Sequence, residues 1–313
     1  MQPQTKSRAK DFFLHLGTMV ALYVGTVALL NLLFRVINVA FPQINQYGYF
    51  GPPISLPVAT LIVVFPLFLF LSHVLRRGEV EDPERKEFAV RKWLVYITLF
   101  IAGAILAGDL ITLIYYFLDG RELTAGFLLK VLSFLVVAGG IFGYYLDDLK
   151  GRLTGERRNY WRIFAVILVI ASIILGFVVI GSPRTQRLLR HDQQKVSDLQ
   201  NIQSQVVSFY QQKGTLPTSL DALKDSLSYY SIPNDPQTNM SYVYRINNSM
   251  SFELCANFNL DSKNYIGKSG YTGAYYYGDP NNENWAYKKG EYCFQRTIDP
   301  ERYPLIPVPK PIR

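Results

Sequence analysis

Histidine and cysteine are scarce in this sequence, which contains three histidines and two cysteines among 313 residues. His15 and His73 lie in long apolar segments, and His191 lies in a polar stretch much further along the chain. Zinc sites and histidine-based catalytic triads need several such side chains close together, and the sequence indicates no such cluster. We therefore expect a protein that is not an enzyme and that needs no cofactor.

A phosphate-binding loop and a concentrated basic surface are also missing. Residues 267–269 read Gly-Lys-Ser, but the loop motif needs a glycine at position 262, which is Ser262. Residues 1–181 contain 17 Lys and Arg against 12 Asp and Glu, and residues 182–313 contain 15 against 12. The excess in the first part lies in short loops between apolar runs, which is typical of membrane topology. We therefore expect no nucleic-acid partner.

Long apolar runs dominate the first half of the sequence. A helix needs about 17 to 25 mainly apolar residues to cross a bilayer, and five runs have this length. They lack the polar face that a helix of a soluble protein shows every 3.6 residues. We therefore predict an α-helical membrane bundle of five transmembrane helices, at residues 12–34, 56–75, 93–118, 123–146 and 163–180.

Basic side chains cluster in one set of loops between these runs. Loops in the cytoplasm carry an excess of Lys and Arg, whereas the opposite set contains only Arg121, with Arg35 near a span end. We therefore predict a multi-pass protein of a cell membrane, with a cytoplasmic amino terminus and an extracytoplasmic carboxy-terminal domain. The residues that predict this are Lys6, Arg8, Lys10, Arg76, Arg77, Arg85, Lys86, Arg91, Lys92, Lys150, Arg152, Arg157, Arg158 and Arg162.

Three charged residues, Arg35, Asp109 and Lys130, lie inside or near the predicted spans. Charges there are costly and usually find partners or water. Asp109 lies about 13 Å and Lys130 about 10 Å from the outer ends of their spans, so the two side chains are expected to meet, with Arg35 approaching from the first span. The group is either an ion or proton site or an ion pair that locks the hairpin. Transporters usually offer more polar groups at this depth, which favours the ion pair.

The first four spans resemble a known family. The hairpin GDLITLIYYFLDGRELTAGFLLKVL and the segment AGGIFGYYLDDLKG are similar to bacterial multi-span proteins grouped as domain of unknown function 5671, over about residues 10–150. The family pattern recurs at Asp109–Leu110 and Phe142–Leu146. The resemblance implies a membrane domain and no particular activity.

The carboxy-terminal part follows an α+β pattern. Apolar residues at spacings of three and four predict a helix over residues 184–213, which Gly214 ends, and Thr218 or Ser219 begins a short second helix. Strands are predicted at residues 241–247, 250–258 and 285–296. A long helix followed by a small antiparallel sheet is an α+β arrangement.

This layout resembles the head of a type IV pilin or type II secretion pseudopilin over about residues 184–296. The residues that carry the resemblance are SDLQNIQSQVVSFYQQKGTLPTSL, NDPQTNMSYVYRI and FELCANF. Pilins have a leader and a processing site before their apolar helix. Neither precedes Ile163 in this sequence, where four predicted spans lie instead. The resemblance therefore implies a pilin-like head on a polytopic anchor, without the processing and polymerisation of a pilin.

Both cysteines, Cys255 and Cys293, lie in the predicted outer domain. An oxidising compartment favours a disulfide between them, and two buried free thiols are the alternative. Four residues with oxygen ligands, Asp261, Asp279, Asn281 and Glu283, are candidates for a Ca²⁺ site, and a solvated polar loop is the alternative. The tyrosines and tryptophans between Tyr265 and Tyr292 either bind a sugar or a partner, or pack between sheet and helix, and we favour packing.

Three regions follow from these patterns: a four-span membrane domain (1–160), a fifth transmembrane helix (161–183) and an extracytoplasmic α+β domain (184–313). The expected partners are the lipid bilayer and an envelope protein, with pilus or secretion components as candidates. The alternative functions are transport of a small molecule or ion, and membrane sensing.

The charge pattern predicts which epitopes a protease reaches. A protease added to intact spheroplasts should remove a tag placed after Arg313 and spare a tag inserted after Glu84, because only the first tag lies outside. Immunoblotting of both tags measures this. Cleavage of the inner tag with protection of the terminal tag would show that the predicted orientation is wrong.

Overall fold

The computed structural model describes residues 4–41, 54–81, 89–224, 231–264 and 284–306. The chain folds as two units, and the boundary lies between Ile180 and Gly181. The first unit is helical and the second combines helix and sheet. The fifth apolar helix belongs to the first unit.

The helical unit contains five long helices. Four of the predicted spans each lie inside one of them, and the fourth span, predicted from residue 123, begins two residues before its helix, which starts at Ala125. All five are long and apolar enough to cross a membrane, which confirms the predicted number of apolar helices. The helices are α1 (Gln4–Ala40), α2 (Ser55–Glu81), α3 (Ala89–Leu118), α4 (Ala125–Leu149) and α5 (Gly155–Ile180).

Helix α1 is the centre of this unit, because it contacts each of the other four helices. Leu32 of α1 and Leu61 of α2 are almost fully buried. Gly176 of α5 allows a close approach, since a Cβ there would lie 3.1 Å from the Leu32 side chain. The core of the helical unit therefore follows α1.

The outer surface of the helical unit is strongly apolar. Phe100 is 76% exposed and Val178 is 74% exposed, and many other large apolar side chains of the five helices share this exposure. Soluble monomers rarely expose apolar patches larger than a few hundred Å². The exposed surface therefore suggests a multi-pass membrane protein whose outer solvent is lipid.

The second unit begins with α6 (Pro183–Lys213). Ser182 caps its first turn by accepting a hydrogen bond from the Thr185 N–H, and Pro183 fits the first turn, where its missing N–H costs no bond. Gly214 ends the helix at φ 74°, a left-handed conformation that glycine adopts without steric cost. The predicted end of this helix is confirmed.

Three strands follow α6 and form an antiparallel sheet in the order β1-β2-β3. They are β1 (Val243–Asn248), β2 (Ser251–Phe258) and β3 (Gly290–Thr297). The prediction that the third strand begins at Trp285 is wrong. The N–H and carbonyl of Tyr287 bind Ser262, and the positive φ of Gly290 separates this segment from the strand.

The core of the second unit lies between α6 and one face of the sheet. Leu199, Ile202 and Val206 form the buried stripe of α6, at the spacing that the sequence predicted. Alternate residues of β2 complete the layer, because successive side chains of a strand point to opposite faces. These residues are Phe252, Leu254, Ala256 and Phe258.

A disulfide joins Cys255 of β2 to Cys293 of β3. The two residues lie directly opposite each other in the β2-β3 register, with their Cα atoms 4.0 Å apart. The predicted pairing is thus present in the structure. Neighbouring Glu253 accepts hydrogen bonds from Asn247 and Gln295, so the face of the sheet that carries the disulfide is polar.

Removal of this disulfide should destabilise the second unit. For a separation of 38 residues, the chain-entropy model gives about 4 kcal/mol for a closed loop of this size. We expect the Cys255→Ala/Cys293→Ala variant to lose up to that amount of unfolding free energy, measured by pulse proteolysis of the full-length protein in urea. An unchanged urea midpoint would contradict the expected stabilisation.

Candidate functional site

A cavity of about 240 Å³ lies inside the helical unit, and residues of all five helices line it. Its deep walls are apolar and include Leu29, Leu61, Val137 and Val169, which are buried in the core around α1. Gly25 of α1 also lines it, and a Cβ there would meet no atom within 4 Å. Small residues beside large ones thus leave a space that the core does not fill.

Charged side chains line the mouth of the cavity. Arg76 comes from the carboxyl-terminal part of α2 and Arg91 from the first turn of α3, whereas Arg158 and Arg162 come from the first two turns of α5. Asp148, in the last turn of α4, lies among them. The ends of four helices therefore bring four arginines and one aspartate to the same opening.

Asp148 neutralises only part of this positive charge. Its carboxylate lies 2.6 Å from an Nη of Arg91 and 3.9 Å from an Nη of Arg158. The Nε of Arg158 is buried without a hydrogen-bond partner. Within the described ranges, no hydrogen bond or ion pair engages the side chains of Arg76 or Arg162. The described residues of the mouth therefore carry excess positive charge with unmet donors.

A small polar cluster fixes the wall near the mouth. The hydroxyls of Tyr23 and Thr98 lie 2.7 Å apart, and the hydroxyls of Thr98 and Tyr145 each lie 3.6 Å from the sulfur of Met19. The cluster connects α1 to α3 and α4. Gly143 of α4 lets Trp161 of α5 approach, since a Cβ there would lie 3.0 Å from the indole. The cavity wall is therefore held by side-chain contacts between helices.

A model of a known protein family matches the part of the chain that forms most of this wall. Residues 11–145 match the family model of DUF5671, a domain of unknown function. No curated protein and no solved structure matches the chain.

The DUF5671 region contributes Arg76, Arg91 and the apolar walls from α1 to α4. Asp148, Arg158 and Arg162 lie beyond its end. The cavity is thus built by the DUF5671 region together with the end of α4 and with α5. The expected resemblance over the first four spans is confirmed, and Tyr144 and Tyr145 of its predicted pattern line the cavity.

The structure does not form the predicted ion pair between Asp109 and Lys130. Both residues are described and half-buried, and the ion pairs of the described residues do not include this pair. The Oδ2 of Asp109 is buried without a hydrogen-bond partner. Arg35 lies half-buried on α1.

Helix geometry explains why these two side chains do not meet. Asp109 lies nine residues before the end of α3, and Lys130 lies five residues after the start of α4, so their depths differ by about 6 Å at 1.5 Å per residue. Side chains also tilt toward the amino terminus of their helix. In an antiparallel hairpin this tilt moves Asp109 away from the connection and Lys130 toward it.

A buried lysine is the centre of a polar network in the second unit. Lys195 of α6 is 2% exposed, and its Nζ donates to the side chain of Gln237 and to the carbonyl of Asn257, both at 2.7 Å. The same Nζ lies 3.1 Å from Oδ2 of Asp235. Three acceptors match the three protons of the ammonium group. The network therefore ties α6 to the end of β2 and to the loop before β1.

Two aspartates of α6 extend this network. The backbone N–H groups of Asn259 and Leu260 and the side-chain amide of Asn259 donate to Asp192, at 2.7 to 3.1 Å. The hydroxyl of Tyr242 donates to Asp198 at 2.7 Å. Sequence reasoning missed these partners, because polar residues on α6 also suit a solvated helix face.

Burial and hydrogen bonding shift the pKa values of two of these carboxyls in opposite directions. Burial raises the pKa of Asp192 despite the opposing hydrogen bonds from Asn259 and Leu260. Burial also acts against the charge of Asp235, but donors that include the Gln237 N–H and Lys195 outweigh it and lower its pKa. The contribution of Asp235 to stability is therefore present above its ordinary pKa and is lost as the pH falls through the lowered value. The raised pKa of Asp192 has the opposite effect, so this residue lowers the stability of the unit as the pH rises.

Most of the candidate calcium ligands lie outside the described residues. These are Asp279, Asn281 and Glu283. The fourth, Asp261, is described and accepts a hydrogen bond from the N–H of Lys263. Of the aromatic residues that the structure describes in this region, Trp285 and Tyr287 are buried. They pack on Phe294 and Phe258, as the packing interpretation predicts.

Replacement of the buried lysine should destabilise the second unit. Lys195→Met leaves a buried carboxylate at Asp235 without its cation, and breaking a buried pair costs about 3 to 5 kcal/mol. Pulse proteolysis of the full-length protein in urea measures the loss, with Lys213→Met at the exposed end of the same helix as the control. Equal urea midpoints for the two variants would show that the network contributes little.

Proposed function

We propose that this protein is a non-enzymatic, polytopic membrane protein that presents its carboxy-terminal unit outside the cytoplasm, where the unit binds another protein of the cell envelope. The observation that carries the proposal is the order of two different units along the chain. Five apolar helices with basic flanks precede an α+β unit with its own apolar core and a disulfide. A disulfide is typical of proteins outside the reducing cytoplasm.

The proposal includes a pilin-like character of this unit. Support comes from its order of elements, in which the long helix α6 precedes an antiparallel sheet and packs against its central strand, β2. A pilin-like unit on a polytopic anchor would act at pilus or secretion components without entering the fibre.

The edge of the sheet is the surface on which we expect the partner. Within the described residues β1 pairs with β2 alone, so its other edge presents unpaired backbone groups. Met240, Val243 and Ile246 on or beside β1 are 71%, 40% and 45% exposed. An exposed edge with apolar side chains is a template for an extended segment of a partner, which adds a strand to the sheet.

A second candidate function is sensing or transport of a small molecule. The observation that favours it is the cavity with arginines at its mouth in the helical unit.

Photo-crosslinking tests the first function. A photoreactive amino acid in place of Val243 or Ile246 in the full-length protein should capture a discrete envelope protein in intact cells, identified by mass spectrometry. Ser204, exposed on α6, is the control position and should not capture the same protein. Val243→Lys in the Ile246-labelled chain should weaken the capture, because a charge on an edge strand opposes strand addition.

Failure of both β1 positions to capture any protein, with the second unit folded and protease-resistant, would overturn the proposed binding at this edge. Capture from Ser204 alone would move the interface to α6 and would also contradict it.

A further inference from the structure

The cavity in the helical unit combines an apolar interior with a cationic opening. From Arg158 at the mouth, the lining continues along α5 to Val169, eleven residues further and about 16 Å at 1.5 Å per residue. The hydrocarbon core of a bilayer is about 30 Å thick, so this depth is close to that of one leaflet. The cavity therefore has the length of a lipid chain and not that of a small anion.

The chemistry of the mouth selects an anionic group. Arg76 and Arg162 have no protein partner among the described residues, and the buried Nε of Arg158 lacks an acceptor. Guanidinium groups bind phosphate oxygens through directed hydrogen bonds. Asp148, the one carboxylate among the described lining residues, is engaged by Arg91, so the ammonium group of a zwitterionic lipid would find no free acid among them.

We propose that this cavity is a binding site for an anionic phospholipid, with one acyl chain along the apolar walls and the phosphate held by Arg76, Arg158 and Arg162. The volume of about 240 Å³ lies below the roughly 300 to 1,000 Å³ of pockets for drug-sized molecules, so the cavity has room for part of one acyl chain and not for a whole two-chain lipid. Basic pockets between helices at the cytoplasmic face are a known mode of lipid headgroup recognition. The proposal requires that the five helices span the membrane, and it is independent of the partner of the second unit.

Native mass spectrometry of the full-length protein in mild detergent tests whether the site selects an anionic headgroup. The probe is an equimolar mixture of phosphatidylglycerol and phosphatidylcholine. We expect the wild type to retain one phosphatidylglycerol per chain in clear preference to phosphatidylcholine. The Arg76→Gln/Arg162→Gln variant should lose about 30-fold of this preference, from the typical contribution of a basic side chain near an anionic headgroup.

The matched control is Lys92→Gln/Arg152→Gln. It removes the same charge from two exposed positions at the same predicted membrane face, outside the cavity lining. The control should keep the preference of the wild type. Equal losses in the two double variants would show general attraction of anionic lipids to the basic loops and would overturn the proposed site.

A cavity-filling substitution tests whether an acyl chain of the lipid occupies the cavity. Gly25→Leu places a side chain into the cavity, where space for the Cβ exists, and should abolish retention of phosphatidylglycerol. Gly108→Leu is the control, because a Cβ there also meets no atom within 4 Å but Gly108 does not line the cavity. Thermal unfolding of both variants in detergent checks that the bundle is intact, and Gly25→Ala provides a smaller change with a partial loss.

Competition by glycerol phosphate separates a lipid from a soluble phosphate ligand. We expect millimolar glycerol phosphate to leave the bound phosphatidylglycerol in place. Displacement by glycerol phosphate, unchanged retention in a folded Gly25→Leu variant, or equal retention of the two lipids by the wild type would each overturn the proposal.

Discussion

Close packing along α1 is the interaction on which the helical unit depends. This helix contacts the other four, and Leu32 in its carboxy-terminal half is fully buried. Glycines on the neighbouring helices allow the approach: a Cβ at Gly126 would lie 3.1 Å from Phe41, and one at Gly176 would lie 3.1 Å from Leu32. The same use of small residues has a second effect beside Gly25, where no large side chain fills the space. The cavity is a consequence of how α1 packs.

The two units differ in how completely their charged side chains are paired. Lys195 in the second unit has an acceptor for each proton, so its charge contributes to one defined arrangement of α6 and the sheet. Among the described residues at the cavity mouth, one carboxylate, that of Asp148, faces four arginines. A buried polar group is costly unless it is paired, so the satisfied network of Lys195 indicates a structural role, whereas the unpaired buried Nε of Arg158 supports the proposed anionic ligand.

These two features divide the proposed functions between the units. The second unit offers an edge strand with exposed apolar side chains, which suits a protein partner. The helical unit offers a chain-shaped cavity with a cationic opening, which suits an amphiphile. The DUF5671 match covers the wall of this cavity up to residue 145, whereas part of the charge at its mouth comes from α5 beyond the match. The binding proposed for the helical unit and that proposed for the second unit are therefore independent of each other.

The sequence by itself determined the elements of this protein. Five apolar runs, the stripe of Leu199, Ile202 and Val206, the stop at Gly214 and the position of both cysteines in one domain could all be derived from periodicity and composition. Such signals are local, because a helix repeats every 3.6 residues and a strand every two.

Tertiary structure alone decided which distant side chains meet. The sequence suggested that Asp109 and Lys130 pair, but the opposite tilts of side chains on antiparallel helices separate them. It used Arg76, Arg91, Arg158 and Arg162 only as markers of topology, whereas the packing of four helix ends gathers them at one cavity. Contacts of this kind depend on the register and rotation of packed helices, which residue spacing along the chain does not specify.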